Sequence, residues 1–564
     1  MLRAFDSHEK RTVRTLDGEW YFITDKDGTG EQNGYPSAIP TEAKSTFVPS
    51  VWNTTLGLLE YEGAAWYLRK FYWDGGNARI HFGAVMTTAT VWVDGILCGE
   101  HYGGFTSFDI DLPDLATGEH LISVRADNSF DGGAIPAKMV DWYHYGGIPR
   151  SVELRSMDGI CVTYSHAYYD LDLENRTADL RFRIKLKNYG EAKTDTVSVK
   201  LNGAPLLTCP ITLTAGEEKE IETETVTVSD VAIWSPDSPT LYAFDTETST
   251  DGICDRMGFR EIKAESGKIY LNGETLTVKG VCRHEEHPDF GFAFPPALMK
   301  RDIDIIKNMN ANSIRGSHYP NSEYFVDLLD ESGMLFWSEI PIWGVGYTAE
   351  MLGVPLFVER AHRMISEMAE QYHNHPSIVI WGIHNEIPSQ SENAKALSKL
   401  LYTALKKRAD GRIVTYACNH PFDDICMEYC DVICLNQYHG WYGGGIESWA
   451  KHIEDFKARR AELGMQNKPI IYSEFGAAAI FGHHTFDDIK WTEEYQARLI
   501  SHAIKLFMED EAIAGCYVWQ YCDIRTCAEM GLNRARGFNN KGLVNEYRRP
   551  KIAYNAVKTL YSEN

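Results

Sequence analysis

The feature that most constrains the fold is an alternation of strand-like and helix-like segments that begins near residue 266. Short apolar runs suited to buried strands are separated by stretches with helical periodicity, such as residues 296–309. The candidate strands lie at 277–282, 312–315, 335–339, 378–383, 413–417, 432–435, 470–473 and 515–519. Eight strand–helix units in about 300 residues predict a (β/α)8 TIM barrel over residues 266–564. A doubly wound open sheet is the alternative, but it normally has fewer strands and a glycine-rich first turn, which is missing here.

Two β-rich regions precede the predicted barrel, as expected for a chain of 564 residues, which is too long for one hydrophobic core. Residues 1–157 contain short alternating runs that end in Asp-Gly or Asp-Asn turns, and these predict an antiparallel β-sandwich. Residues 158–265 alternate strictly, as at 177–187, and hold about seven short strands in about a hundred residues. This second region predicts an immunoglobulin-like β-sandwich.

Charge and composition exclude several classes of partner. The formal charge of -24, from 79 acidic and 55 basic residues, leaves no basic surface of the kind that binds nucleic acid. An anionic membrane surface would repel a chain with this charge. Neither a membrane span nor a signal peptide is expected. The 12 cysteines are scattered, several within apolar runs, which favours buried free thiols in a reducing cytoplasm. Cys426, Cys430 and Cys434 lack a fourth ligand with zinc spacing, and no phosphate loop is present, so neither a metal nor an organic cofactor is expected.

Polar side chains follow nearly every candidate strand at its carboxyl end. In a barrel these ends meet at one rim, where the chemistry is located. An isolated polar residue at such a position usually satisfies a turn, but this many indicate a ring of functional groups. They are Arg283, His284, Arg315, His318, Glu339, Asn385, Glu386, Asn419, Asn436, Tyr438, Glu474, Trp519 and Gln520.

Glu386 and Glu474 are the two carboxylates that best suit catalysis. They end the fourth and seventh candidate strands, roughly 90 positions or three strand–helix units apart, so they should approach each other across the mouth of the barrel. Either glutamate alone would more simply form a salt bridge or a loop cap. Together they are suited to glycosidic bond cleavage, in which one carboxyl protonates the leaving oxygen and the other attacks the anomeric carbon or activates water. Asn385, beside Glu386, would hydrogen-bond the neighbouring sugar hydroxyl without adding charge.

The Asn385-Glu386 pair, residues 469–476 and 315–320, and the amino-terminal segment 141–150 resemble glycoside hydrolase family 2. The resemblance covers essentially the whole chain. It implies a jelly-roll-like, sugar-binding-like first sandwich and a homo-oligomer. It also implies that Glu386 is the acid/base and Glu474 the nucleophile of a retaining mechanism, with carboxyl groups about 5 to 5.5 Å apart.

Residues 536–543, RGFNNKGL, resemble the Asn-x-Lys motif with which β-glucuronidases of this family bind the sugar carboxylate. In an extended loop Asn539 and Lys541 would point to the same side and converge on one carboxylate, the lysine supplying charge and the asparagine a directional donor. An isolated Asn-x-Lys is usually a turn with a solvated lysine, but the position after the last strand favours the clamp. The arginine common in the family four positions before the asparagine is Ala535 here, flanked by Arg534 and Arg536.

The resemblance assigns further binding roles. Tyr438 and Tyr442 would line the site, Trp519 would be the sugar platform, His318 and Asp141 would hold hydroxyls, and Arg315 would orient the carboxylate of Glu474. The implied substrate is a glucuronide or a glucuronate-terminated oligosaccharide from which terminal β-D-glucuronic acid is removed.

Three alternatives remain open at this point. The same chemistry would serve a β-galacturonide or a neutral β-galactoside. Enolase-type metal chemistry would use Glu339 and Glu386, but its third ligand would fall where Asn419 stands. A sugar-binding module without catalysis would have no use for two opposed glutamates.

Overall fold

The computed structural model describes residues 2–563, and it begins with an antiparallel β domain. Its strands are β1 (Val13–Thr15), β2 (Gly18–Asp25), β3 (Lys44–Val48), β4 (Ser50–Val51), β5 (Ala64–Phe82), β6 (Thr88–Val93), β7 (Ile96–Tyr102), β8 (Phe108–Asp127), β9 (Gly147–Ile148) and β10 (Val152–Ser156). The main sheet has the order β1-β10-β5-β8-β6-β7, with β2 pairing both β3 and β5. Residues of these strands enclose an aromatic core that includes Trp20, Trp52 and Tyr67.

The second domain is a sandwich of two four-stranded antiparallel sheets. Its strands are β11 (Ile160–Asp172), β12 (Thr177–Asn188), β13 (Lys193–Leu201), β14 (Ala204–Leu213), β15 (Glu218–Glu222), β16 (Val226–Val228), β17 (Tyr242–Glu247) and β18 (Gly252–Met257). One sheet contains β11, β12, β15 and β16, and the other has the order β14-β13-β17-β18. Phe182 of the first sheet and Phe244 of the second meet in the shared core. The strict alternation at 177–187 is therefore the signature of β12, which buries every second residue.

A small three-stranded sheet lies between the sandwich and the barrel. It consists of β19 (Ile262–Glu265), β20 (Lys268–Leu271) and β21 (Glu274–Thr275). The predicted boundary at 265/266 falls in the turn between β19 and β20, whereas the boundary at 157/158 falls in the connection between β10 and β11.

The predicted TIM barrel is confirmed as a closed, fully parallel sheet of eight strands. The strands are β22 (Val278–Arg283), β23 (Ser313–Gly316), β24 (Leu335–Glu339), β25 (Ile378–Asn385), β26 (Ile413–Cys418), β27 (Ile433–Asn436), β28 (Ile470–Phe475) and β29 (Ile513–Val518). Each of them overlaps one of the runs identified in the sequence. All eight residues of β25 are buried, which explains its continuous apolar sequence.

Helices cover the outside of the barrel, with one exception. They are α1 (Pro296–Asn308), α2 (Glu323–Ser332), α3 (Pro355–Gln371), α4 (Glu392–Lys406), α5 (Ser448–Glu462), α6 (Glu493–Glu509), the short α7 (Ala528–Gly531) and α8 (Ile552–Glu563). α1 and α3 begin at a proline, and the hydroxyls of Ser391 and Thr492 cap α4 and α6. Between β26 and β27 the described chain has only a 3₁₀ turn, Met427–Tyr429, where a regular barrel has a helix. None of the described helices is long and apolar enough to cross a membrane.

A segment of the first domain reaches the carboxyl-terminal rim of the barrel. The ring of Trp142 packs 5.5 Å from His318 and 5.7 Å from His284. The Tyr145 hydroxyl donates to Glu286, at 2.7 Å. The amino-terminal domain therefore forms one wall of the region where the barrel strands end.

Candidate active site

Glu386 and Glu474 both lie at the carboxyl-terminal rim of the barrel. Glu386 directly follows β25, and Glu474 is the penultimate residue of β28. Asn436, which ends β27, connects Glu386 to the residue before Glu474: its Nδ2 donates to Glu386 Oε1 at 2.7 Å, and its Oδ1 accepts from the hydroxyl of Ser473 at 2.7 Å. The structure thus places both carboxylates, which were predicted from the strand ends, at the same rim of the barrel.

Arg315 is the centre of the hydrogen-bond network at this rim. Its fully buried guanidinium donates to Glu474 Oε1 at 2.9 Å and to Asn385 Oδ1 at 2.7 Å. It also donates to both oxygens of Glu339, at 2.9 and 3.0 Å. A planar guanidinium fixes several oxygens at once, so Arg315 holds the Glu474 carboxylate in one orientation.

The two glutamates differ in the hydrogen bonds that they accept and in the charges near them. Burial raises the pKa of both carboxyl groups, and the nearby Glu386 charge raises the pKa of Glu474 further. Against this, Glu474 receives the Arg315 cation and a hydrogen bond of 2.8 Å from the Tyr438 hydroxyl. Glu386 accepts a hydrogen bond from the neutral Asn436 amide, and the Arg315 and Lys541 charges also lower its pKa. Arg315 and Tyr438 thus stabilise the ionised form of Glu474, but burial outweighs them and leaves the pKa of Glu474 raised, to about 8.

The backbone of Glu386 is held in an unusual conformation. Its φ is +51°, in the left-handed region that residues other than glycine rarely adopt. Its amide donates to Ala417 O at 2.9 Å, and Gly344 lies against its peptide so closely that an added Cβ would sit 1.7 Å from Glu386 O. Backbone strain of this kind persists only where the surroundings enforce it, and it concentrates at functional sites.

Two buried polar atoms beside the glutamates have no partner among residues 2–563. They are Asn385 Nδ2 and His318 Nε2, and the latter lies 3.9 Å from Glu474 Oε1. Burial lowers the pKa of His318 to about 4, so the ring is neutral, and its Nδ1 faces Glu339 Oε1 at 2.7 Å. With the proton on Nδ1, His318 Nε2 can accept a hydrogen bond, and Asn385 Nδ2 can donate one. A ligand hydroxyl both donates and accepts, so it can bind to either atom.

Trp519 forms an aromatic surface next to this pair. Its indole stacks on the His318 ring with centroids 5.0 Å apart and planes at 22°. The residue is 3% exposed and directly follows β29. The structure therefore brings Trp519 into the site with Asn385 and His318.

Lys541 is a buried cation surrounded by aromatic rings. It is 1% exposed, and its Nζ donates to the Tyr442 hydroxyl at 2.8 Å. The same nitrogen lies 4.9, 5.6 and 5.9 Å from the ring centroids of Tyr442, Tyr438 and Trp441. Within residues 2–563 no carboxylate forms an ion pair with it, which is rare for a buried lysine. Since Tyr438 also contacts Glu474, the cation belongs to the same site.

Asn539 and Asp141 are at the site, but the structure pairs them with each other. Asn539 Nδ2 donates to Asp141 Oδ2 at 2.8 Å, and Asn539 Oδ1 accepts from the backbone amide of Lys541 at 3.2 Å. The asparagine amide is thus held by the protein instead of pointing freely toward a ligand beside the lysine. Its contact with a sugar carboxylate remains a prediction, as does the hydroxyl contact of Asp141.

Arg534 is a site residue that the sequence could not single out. It donates to Asp141 through both Nε, at 3.1 Å, and Nη2, while Thr526 Oγ1 donates to the same carboxylate at 3.0 Å. Arg536 instead pairs with Glu546 at 2.9 Å and is half exposed. Of the two arginines that flank Ala535, only Arg534 therefore lies among the predicted site residues. Asn436 was predicted as one of the strand-end groups but without a specific role, and Trp441 was not predicted, although it lies in the aromatic cluster at 438–442.

Replacing Glu386 with glutamine is expected to stabilise the fold as the pH rises. Burial raises the pKa of Glu386, so its charged form lowers the free energy of unfolding while its neutral form does not. Below about pH 4 the group is neutral in both folded and unfolded chains, and wild type and variant should melt together. At pH 8, well above the ordinary pKa of a glutamate side chain, Glu386→Gln should melt at the higher temperature, because it has no carboxyl group to ionise and the amide keeps an acceptor for Asn436. Scanning calorimetry at both pH values tests this, and a lower melting temperature of the variant at pH 8 would contradict it.

Comparison with known proteins agrees with this geometry. A family model described as glycosyl hydrolases family 2, TIM barrel domain, matches residues 262–564, and one described as glycosyl hydrolases family 2 matches residues 162–260. A β-glucuronidase of Paenibacillus borealis is 26% identical, with 98% of this chain and 97% of the relative covered. A family 2 β-galacturonidase of Eisenbergiella tayi bound to galacturonate is 36% identical with a TM-score of 0.94, covering 100% of this chain and 99% of that one. A Ruminococcus gnavus β-glucuronidase in complex with uronic isofagomine is 26% identical with a TM-score of 0.88, covering 100% and 99%. The chain belongs to glycoside hydrolase family 2.

Proposed function

We propose that the protein removes terminal β-D-glucuronic acid from β-glucuronides by a retaining double displacement. The observation that carries the proposal is Lys541, a buried cation without a carboxylate partner among the described residues, which lies beside Glu386 and Glu474. A buried charge is costly unless it is paired, and the carboxylate of a bound uronic acid would complete the pair. The β-glucuronidases among the relatives support this substrate.

In the first step Glu474 attacks the anomeric carbon while Glu386 gives its proton to the departing oxygen. The C–O bond to the aglycone breaks, and a covalent glycosyl ester forms on Glu474. Arg315 and Tyr438 hold the Glu474 carboxylate for this attack and stabilise its charge until the bond forms.

In the second step Glu386, now a carboxylate, takes a proton from water as the water attacks the anomeric carbon. The ester bond to Glu474 breaks, and the sugar leaves with its original configuration. Asn385 Nδ2 and His318 Nε2 supply the partnerless polar atoms for sugar hydroxyls, and Trp519 supplies an apolar face for the ring.

A β-galacturonide is the second candidate substrate. It differs from a glucuronide in the configuration of one hydroxyl and would use the same carboxylate contact. The specific observation in its favour is the likeness to the Eisenbergiella tayi enzyme, whose structure holds galacturonate.

A panel of 4-nitrophenyl β-glucuronide, β-galacturonide and β-galactoside tests the proposal, because the three share one leaving group. We expect the glucuronide to be cleaved with the highest kcat/KM and the neutral galactoside about 10²- to 10³-fold more slowly, since it leaves Lys541 unpaired. A higher kcat/KM for the galacturonide would identify a β-galacturonide, the second candidate, as the preferred substrate. Equal or faster cleavage of the galactoside would refute hexuronide specificity.

We also propose a cytoplasmic location. All 12 cysteines are free, and nine of them are buried, as expected of a protein that folds under reducing conditions.

A further inference from the structure

The loop that carries Lys541 is fixed by hydrogen bonds to its backbone at three successive residues. Asn540 O accepts from Lys551 Nζ at 3.0 Å and from Ala479 N at 2.9 Å. Lys541 O accepts from Gln520 N at 3.1 Å. The amide of Gly542 donates to Asp523 Oδ1 at 2.8 Å. The groups that hold the loop follow β28 (Ala479), follow β29 (Gln520 and Asp523) or directly precede α8 (Lys551), so the loop position is set by the surrounding barrel.

Asp523 and Lys551 form the charged part of this anchor. Asp523 Oδ1 and Lys551 Nζ are 2.8 Å apart, and both side chains are completely buried. Lys551 Nζ donates in addition to Ala479 O at 2.7 Å. Such a pair is a poor source of stability, since apolar residues of similar volume often stabilise a core as well or better. What this pair provides is a defined set of contacts with the main chain on either side of Lys541.

Close packing makes the loop sensitive to the anchor. A Cβ on Gly542 would lie 2.3 Å from Asp523 N and 2.3 Å from Val544 O. The loop therefore lies directly against the main chain at Asp523. A movement of the anchor would be transmitted to the peptide of Lys541 without passing through a flexible side chain.

We propose that Asp523 and Lys551 are positioning residues that aim the Lys541 ammonium at the sugar carboxylate. The Lys541 side chain itself donates to Tyr442, so the buried pair acts on it through the backbone of residues 540 and 542. The inference rests on the proposed function, because it assigns to this pair a share of the preference for uronides over neutral sugars. Loss of the pair should reduce uronide cleavage while the glutamates and their network remain in place.

The double variant Asp523→Asn with Lys551→Met tests the inference, because it removes both charges and leaves no unpaired ion in the core. We expect the ratio of kcat/KM for 4-nitrophenyl β-glucuronide to that for the β-galactoside to fall by about 10- to 100-fold, the effect of misplacing a binding group by around 1 Å. Hydrogen–deuterium exchange of the peptide spanning residues 538–545 should be faster than in the wild type. If Lys541→Met is added, the ratio should fall no lower than in Lys541→Met alone, because both changes act on the same contact.

The control is Asp410→Asn, which alters a buried pair with Arg412 just before β26, at the opposite end of the barrel strands. It should change both activities by the same factor and leave their ratio intact. An unchanged ratio in the double variant would overturn the inference, whatever its thermal stability. Wild-type enzyme that cleaves neither the glucuronide nor the galacturonide would instead refute the proposed function, and that result is separate from an unchanged ratio.

Discussion

Replacing Glu474 with alanine is expected to lower kcat/KM for an aryl β-glucuronide by about 10⁴-fold or more, the scale of loss when the nucleophile is removed from a catalytic unit. The reason is geometric: Glu474 is held by Arg315 and Tyr438, so no other carboxylate takes its place. Azide should restore turnover by entering the space that the side chain vacates. It would attack from the face that Glu474 occupied and give the α-glucuronosyl azide, which NMR identifies.

Glu386→Ala is the matched control, since it removes the other carboxylate of the pair. The loss of kcat/KM in this variant should depend on the leaving group. It should be smallest for 4-nitrophenolate and reach about 10²- to 10⁴-fold for an alkyl aglycone, which must be protonated as it leaves. Azide should now intercept the covalent intermediate and give the β-glucuronosyl azide. If Glu474→Ala gave the β product and Glu386→Ala the α product, the assignment of nucleophile and acid/base would be reversed.

The barrel could be predicted from the sequence because each of its strands is buried on both faces. A strand such as β25 is apolar throughout, and the change from apolar to polar marks where it ends. The same argument placed Glu386 and Glu474 at one rim. The exception is the connection from β26 to β27, where the chain forms the 3₁₀ turn Met427–Tyr429 in place of a helix. Its residues carry no sustained apolar stripe, so packing against the barrel does not stabilise a helix there.

The contacts at the edge of the site were less predictable because they join distant parts of the chain. Asp141 and Arg534 are 393 positions apart and meet only because the first domain docks on the barrel rim. Spacing alone also could not choose between Arg534 and Arg536, which differ in direction because Arg536 has a φ of +63°. Periodicity determines which residues end strands, whereas the docking of domains and the course of a loop depend on contacts that leave no periodic pattern.

Lys541→Met is expected to reduce kcat/KM for the glucuronide by about 10²- to 10³-fold, the penalty for truncating one member of a buried charge pair. Methionine fills much of the lysine volume among Tyr438, Trp441 and Tyr442, so the aromatic rings should keep their places. The sugar carboxylate would then enter a buried site without a counter-charge. The measurement is kcat/KM for the glucuronide and the galactoside with the same leaving group.

The neutral galactoside separates a lost charge contact from a damaged site. It presents no carboxylate to Lys541, so its cleavage by Lys541→Met should stay within about threefold of the wild type, and the specificity ratio should fall by nearly the full uronide effect. Lys490→Met is the matched control: that lysine is exposed, and its Nζ donates to Trp441 O, so the change removes a charge near the same aromatic cluster without touching the buried cation. Screening by solvent should make its effect on the ratio small. If Lys541→Met lowered kcat/KM equally for both substrates, the lysine would support the aromatic cluster and would not bind the sugar carboxylate.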